Sequence, residues 1–177
     1  MATVYTHAIV GLGLARLSTK RTMPWQFWTV TGLLPIVPDL DVFLTGSYGT
    51  ALGHRGITHS LLFASVLGGL TAAATFRRFH LAWWRLALLF FIILSSHGLL
   101  DAMTKGGENV PFFWPFGGRF GNWGPLSVSD IAFDLPDPRY SRAIRRELLW
   151  VWLPMSLAVG LSMVFDRRKP KNTDARL

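Results

Sequence analysis

Two long apolar stretches limit this chain to folds that can reside in a membrane. Residues 81–100 (LAWWRLALLFFIILSSHGLL) and 148–165 (LLWVWLPMSLAVGLSMVF) are each close to the ~20 residues that a helix needs to cross the hydrocarbon core. Charged residues make up 16% of the chain, against about 25% in soluble globular proteins. Pro154 is tolerated as a kink in such a helix, so both stretches are predicted to be membrane helices.

Three further segments complete a predicted all-α, multipass membrane bundle of about four to five membrane segments. Residues 58–76 are rich in the small residues that allow membrane helices to pack closely. Residues 3–17 and 24–37 are short for a full crossing, so tilted spans and a half-inserted hairpin both stay open. Gly11 and Gly13 indicate close packing of the first segment.

A long loop, residues 102–146, precedes the last membrane segment and is rich in Gly, Pro and aromatic residues. Its turn residues exclude a regular helix across its first half. Its aromatic side chains favour an ordered cap over a site rather than disorder. Residues 1–166 are therefore predicted to form one membrane-embedded domain, followed by a basic, mobile tail at 167–177.

The net charge of +8 is interpreted as the result of basic residues that set the orientation of the chain in the membrane. No basic stripe interleaved with exposed aromatics is present, so nucleic acid is not an expected partner. With five crossings, eleven of the 18 Lys and Arg residues fall on one side, which the positive-inside rule makes cytoplasmic. The chain has no cysteine, so any metal must be held by His, Asp or Glu.

Four of the five histidines and three aspartates fall at segment ends that this topology brings to one face, the non-cytoplasmic one. Placing ionisable side chains in or at the edge of a membrane costs free energy, so the grouping of several of them indicates a common site. Imidazole and carboxylate are the ligands of a hydrolytic metal centre. His80 falls on the opposite face and serves as an internal control. The predicted metal ligands are His7, Asp39, Asp41, His54, His59, His97 and Asp101.

The spacing of these residues supports shared binding. His97 and Asp101 are four apart, so a helix presents both on one face. Pro38 disfavours helix and predicts an extended chain that points Asp39 and Asp41 to the same side. Each residue also has an ordinary interpretation: a local ion pair, a solvated helix cap, or, for a histidine such as His7, a satisfied interface residue.

The motifs HAIVG, LPIVPDLD, HRGITHS, SSHGLLDAMT and FWPF occur in that order over about residues 5–120. Together they resemble the YdjM-type family of LexA-regulated, membrane-bound metal-dependent hydrolases. That family is distantly similar to the zinc-dependent phospholipase C and P1 nuclease group, all-helical enzymes with His and Asp around zinc ions. The resemblance implies a divalent cofactor, with zinc expected. The chain lacks that group's second H-x-x-x-D helix and shows no processed N-terminal amine, so one or two ions are expected rather than three.

The residues and the resemblance together predict an inner-membrane hydrolase of a phosphoester such as a phospholipid, with metal-activated water as the nucleophile. Asp41 is the expected general base, and Arg55 is expected to bind phosphoryl oxygens and assist catalysis. Trp114 and Arg119 of the loop are expected to contact substrate, and membrane lipids are the expected partners. Two alternatives stay open: a small membrane protein that binds or transports ions or protons through the same residues, and a non-catalytic membrane factor with structural ion pairs.

Overall fold

The computed structural model describes residues 1–19, 22–43, 50–127 and 138–168, which are mostly helical. The only regular sheet in these ranges is a short parallel pair, β1 (Thr104–Lys105) with β2 (Leu126–Ser127). The helical class predicted from the sequence is confirmed. The helices in chain order are α1 (Val4–Ser18), α2 (Trp25–Leu33), the 3-10 helices η1 (Leu34–Phe43) and η2 (Ile57–His59), α3 (Leu61–Phe79), α4 (Trp83–Ala102), α5 (Pro138–Glu147), a π-helical segment (Leu148–Trp152) and α6 (Leu153–Arg168).

Two helical stretches are long and apolar enough to cross a membrane, α4 and Tyr140–Asp166, which runs from α5 into α6. They correspond to the two stretches predicted first. Only 6% of the apolar part of Tyr140–Asp166 is buried in the protein, which suits a helix surrounded by lipid. Pro154 lies just after the π-helical segment, whose wider turn accommodates the missing backbone N–H. A total of four to five crossings stays a prediction.

Small residues set the close packing of the bundle. Helices α3 and α4 form an antiparallel pair in which a Cβ on Gly68 would lie 2.9 Å from the backbone nitrogen of Phe91. A Cβ on Gly11 of α1 would strike the carbonyl oxygen of Thr31 in α2. The close packing predicted for Gly11 is therefore confirmed, and it brings the ends of these helices within reach of one another.

A buried carboxylate anchors the last helices to the start of α1. Glu147 is fully buried and accepts hydrogen bonds from the Thr3 N–H (2.8 Å), the Thr3 hydroxyl (2.5 Å) and the Thr6 hydroxyl (2.6 Å). Trp152 donates its indole N–H to the Thr6 oxygen at 2.6 Å. The backbone N–H of Ala2 in turn reaches a carboxylate oxygen of Asp101 at 3.0 Å. This network fixes the first turn of α1, which carries His7.

The loop predicted at residues 102–146 is irregular in its first half and contains α5 in its second half. An antiparallel bridge pairs Val110 with Phe120. Residues 128–137 of this loop, and the tail from residue 169 onward, lie outside the described residues.

Candidate metal centre

Four buried side chains from three separate segments converge on one point. Asp39 comes from η1, His59 from η2, and His97 and Asp101 from the last turns of α4. Nε2 of His97 lies 3.4 Å from Oδ1 of Asp39 and 4.0 Å from Oδ2 of Asp101. Nε2 of His59 lies 3.7 Å and 3.5 Å from the same two oxygens. Each of the four offers one ligand atom to a common centre that could hold a metal ion.

The spacing of these atoms suits an ion between them better than direct ion pairs. Charge-assisted hydrogen bonds close to about 2.7–2.9 Å, whereas the four distances above are 3.4–4.0 Å. Ligands held about 2.0–2.1 Å from a tetrahedral ion stand about 3.3–3.4 Å from one another. The four nitrogen–oxygen separations of 3.4–4.0 Å therefore lie at or above those of a tetrahedral metal site.

The ligand atoms are also unsatisfied without a cation. Both carboxylate oxygens of Asp39, Oδ2 of Asp101 and Nε2 of His59 and His97 are buried and make no hydrogen bond. A buried polar group that lacks a partner costs about 1–3 kcal/mol, and more if it is charged. Unpaired atoms from four residues around one centre are difficult to explain as structural ion pairs, and a bound divalent cation would satisfy one atom from each residue.

The backbone after Pro38 differs from the prediction. Asp39 and Asp41 lie in a ten-residue 3-10 helix, so the prediction of an extended chain with both carboxylates on one side is wrong. A 3-10 helix turns by a third of a circle per residue, so side chains two positions apart diverge. The two aspartates consequently reach different nitrogens of the same ring, Asp39 towards Nε2 and Asp41 towards Nδ1 of His59.

Asp41 is held in a closed hydrogen-bonded arrangement behind His59. Its Oδ1 lies 2.6 Å from Nδ1 of His54, and its Oδ2 accepts from the Thr58 hydroxyl at 2.5 Å and lies 3.3 Å from Nδ1 of His59. The three residues Asp41, His54 and His59 also form a possible ligand group. However, a 2.6 Å separation is that of a hydrogen bond, and a carboxylate behind a ligating histidine orients the ring. This geometry favours an orienting role for Asp41, supported by His54 and by Thr58, which the sequence alone did not single out.

His7 borders the centre from α1. Its ring stacks on that of His97 with the centroids 4.0 Å apart, and its Nε2 lies 3.6 Å from Oδ1 of Asp101. Both ring nitrogens of His7 are buried and make no hydrogen bond. His7 is therefore positioned as a neighbour of the four-ligand group and as a candidate fifth ligand.

Arg55 is fully buried, and its side chain is committed to protein contacts. The guanidinium donates to the carbonyl oxygen of Glu108 and to the Thr104 hydroxyl (3.1 Å), while its Nε lies 3.6 Å from Oδ2 of Asp101. Arg55 is also the left-handed residue of its turn, with φ of 60°. These contacts connect the turn at residues 54–56, here called the HRG turn, to the start of the loop at residues 104–108. They also orient the Asp101 carboxylate. The phosphate-binding role predicted for Arg55 stays a prediction, and these contacts favour a positioning role.

Phe112 of the loop packs against α4 and α3, while most of the other aromatic side chains of the loop are exposed. The ring of Phe112 packs against Gly98, and its carbonyl oxygen accepts from the N–H of Leu61 at 2.9 Å. Trp114 is 38% exposed, and Arg119 donates to the carbonyl oxygen of Arg55 at 2.9 Å. Arg119 thus lies next to the HRG turn. Substrate contacts by Trp114 and Arg119 stay predictions.

The electrostatics of the centre favour positive charge. Burial alone would raise the pKa of Asp39, but His97 and His59 lower it below its usual range. Burial would also raise the pKa of Asp41, but hydrogen bonds with His54, His59 and Thr58 lower it. Both carboxylates thus stay ionised and attract a cation, either a proton or a metal ion.

His80 occupies the opposite end of the bundle, as predicted. It ends α3 in a left-handed conformation with φ of 51°, immediately before α4 begins. Helix α4 has 20 residues, so at ~1.5 Å per residue about 30 Å separates its two ends. His80 therefore cannot share an ion with His97.

Comparison with known proteins adds a family to this geometry. A family model described as "YdjM inner membrane protein" matches residues 1–169. The chain is 37% identical over 175 residues to "Inner membrane protein YbcI" of Escherichia coli (strain K12), over 96% of this chain and 100% of that protein. No solved structure matches the chain.

Proposed function

Because this chain belongs to the YdjM family of inner membrane proteins, as its motifs indicated, we propose that it is a membrane-bound, metal-dependent hydrolase of a phosphoester such as a phospholipid. The observation that carries the proposal is the group of buried, unsatisfied nitrogen and oxygen atoms from Asp39, His59, His97 and Asp101. Two imidazoles and two carboxylates whose ligand atoms lie within 4.8 Å of one another are a donor set that suits zinc and similar divalent ions.

If a coordination position beyond the four side chains stays open to water, such an ion would lower the pKa of that water towards about 7 and neutralise charge on phosphoryl oxygens. The residues of the chain supply the setting for that chemistry. Asp39, His59, His97 and Asp101 would hold the ion, with His7 beside them. Asp41 would orient His59, and Arg55 would hold Asp101 in place. The buried position of all four ligands would limit their access to bulk water.

The depth of the centre in the membrane supports hydrolysis at the membrane surface over ion transport. His97 and Asp101 lie in the last two turns of α4, a helix that could cross the membrane. Transport sites usually lie near the bilayer midplane, between broken helices. A centre at the end of a membrane helix is instead close to lipid headgroups, and this position favours a phospholipid as the phosphoester.

Metal analysis combined with hydrolysis assays tests the proposal. We expect protein purified without chelator to contain at least one divalent ion per chain, and to cleave bis(p-nitrophenyl) phosphate or phospholipid in a chelator-sensitive manner. Less than stoichiometric metal after incubation with zinc, manganese or iron would contradict the metal centre. Full metal loading without cleavage of either substrate would contradict the hydrolase, and cation uptake by proteoliposomes would then favour transport.

The orienting role of Asp41 gives a separate prediction. We expect Asp41→Asn to weaken metal affinity by about 10–100-fold, because a carboxylate behind a ligating histidine fixes the tautomer and orientation of the ring. The number of ions bound at saturation should not change. Competition with a metal-sensitive dye measures both quantities.

Asp166→Asn is the matched control, since Asp166 pairs with Arg16 at 3.7 Å and is far from the centre along the sequence and the fold. Its metal affinity should equal that of the unmodified protein. Loss of one bound ion in Asp41→Asn would instead show that Asp41 is itself a ligand.

A further inference from the structure

Two hollows at the end of the bundle opposite the metal centre are both lined by His80. One, of about 390 Å³, lies between the end of α1 and the α3–α4 turn, with Ser18, Thr19, His80 and Arg85 among its lining residues. The other, of about 650 Å³, is lined by Thr22, Met23, Pro24, Arg78, Phe79 and His80. His80 lines both hollows. We call this region the His80 cleft.

The charge of the His80 cleft is positive. Arg78 and Arg85 line its two halves, and Arg16 and Arg77 lie close by on α1 and α3. In the part of the chain that the structure describes, the nearby carboxylate is that of Asp166, which pairs with Arg16. The charges of Arg78 and Arg85 are therefore not neutralised by a neighbouring acid among these residues, and the cleft is complementary to an anion.

Aromatic side chains place the cleft at the depth of lipid headgroups. Trp83 and Trp84 begin α4 and are 48% and 58% exposed. Tryptophan is enriched where a membrane helix meets the headgroup region. The Arg85 guanidinium carbon lies 5.2 Å from the ring centroid of Trp84, and that of Arg77 lies 5.6 Å from the ring of Phe76. These arginines extend over aromatic surface towards the polar layer, as basic residues at a membrane boundary do.

We propose that the His80 cleft binds the phosphate headgroup of an anionic glycerophospholipid. Arg78 and Arg85 bind the phosphate from the two sides of His80, and the acyl chains lie along the exposed apolar surface of the neighbouring helices. Basic pockets between membrane helices bind acidic lipid headgroups by the same combination of charge and depth. This site is separate from the metal centre and does not depend on hydrolysis.

Lipid titration of the purified, full-length protein tests the proposal. We expect native mass spectrometry to show a phosphatidylglycerol adduct that is retained at higher collision energy and lower lipid concentration than a phosphatidylcholine adduct. Arg78→Gln and Arg85→Gln should each lower phosphatidylglycerol affinity by about fivefold, and the double variant by about 25-fold, as expected for one charge contact each at a membrane surface.

Arg142→Gln/Arg145→Gln is the matched control, because it removes two exposed arginines from α5 at the other end of the bundle. Its affinity should stay within about twofold of that of the unmodified protein. An equal loss in this control would show general surface electrostatics and overturn the site. Equal binding of phosphatidylcholine, or full displacement of the lipid by millimolar inorganic phosphate, would also overturn a lipid headgroup site. Melting temperatures of the lipid-free variants check that their fold is retained.

Discussion

Replacing His97 by alanine is expected to abolish stoichiometric binding of divalent metal. The substitution removes one of four ligand atoms and leaves Oδ1 of Asp39 without the nitrogen that lies 3.4 Å away. It also removes the ring on which His7 stacks. Because His59 Nε2 already belongs to the ligand group and the Nε2 of His7 approaches Asp101 alone at 3.6 Å, we expect the remaining three residues to hold the ion too weakly to survive purification. Elemental analysis of the purified protein measures this directly.

His80→Ala is the matched control for that experiment. His80 belongs to the same residue type and lies at the other end of the helix pair. Its replacement should leave metal content unchanged. Equal metal loss in the two variants would contradict the assignment of the centre, and equal retention would show that His97 is not a ligand. Circular dichroism of both variants establishes that a difference in metal content does not come from unfolding.

The position of the centre could be predicted because it depends on helix ends. Apolar stretches mark where helices run, and alternation of direction then assigns each end to one face of the bundle. The periodicity of α4 alone places His97 and Asp101 on one face of that helix. The alternating direction of the helices places His80 at the opposite end. The structure brings Asp39, His59, His97 and Asp101 within reach of one ion, and their role as ligands stays a prediction.

The division of roles within the centre could not be predicted in the same way. After Pro38 the chain continues as a 3-10 helix rather than an extended segment, because packing against α1 and α4 overrides the local preference. That choice separates Asp39 from Asp41 and places His59 between them. The partners of Arg55 are 49 and 53 positions away in sequence, at Thr104 and Glu108. Contacts between such distant residues carry no periodic signal in a single sequence, and neither do those of Glu147 with Thr3.

Arg55→Met is expected to cause a large loss of stability. Breaking a buried ion pair by removing one partner typically costs about 3–5 kcal/mol. Here the substitution also leaves the Thr104 hydroxyl and the Glu108 carbonyl oxygen without their donor. For a chain of this length, a loss of that size lowers the melting temperature by roughly 10 °C. Thermal denaturation in detergent, followed by circular dichroism, measures the effect.

Arg55→Lys distinguishes a positioning role from phosphate binding. Lysine keeps the charge but lacks the planar fork that reaches Thr104 and Glu108 together, so it should recover only part of the lost stability. Arg119→Gln, which alters an exposed neighbour that donates to the Arg55 carbonyl, should melt within a few degrees of the unmodified protein. If Arg55→Met kept full stability and metal content but lost phosphoester cleavage, Arg55 would contact substrate rather than support Asp101. We expect Arg55→Met to lose stability and not to show a defect limited to cleavage. The reason is that the Arg55 guanidinium is fully buried, so it would have to leave its protein contacts before it could reach a phosphate.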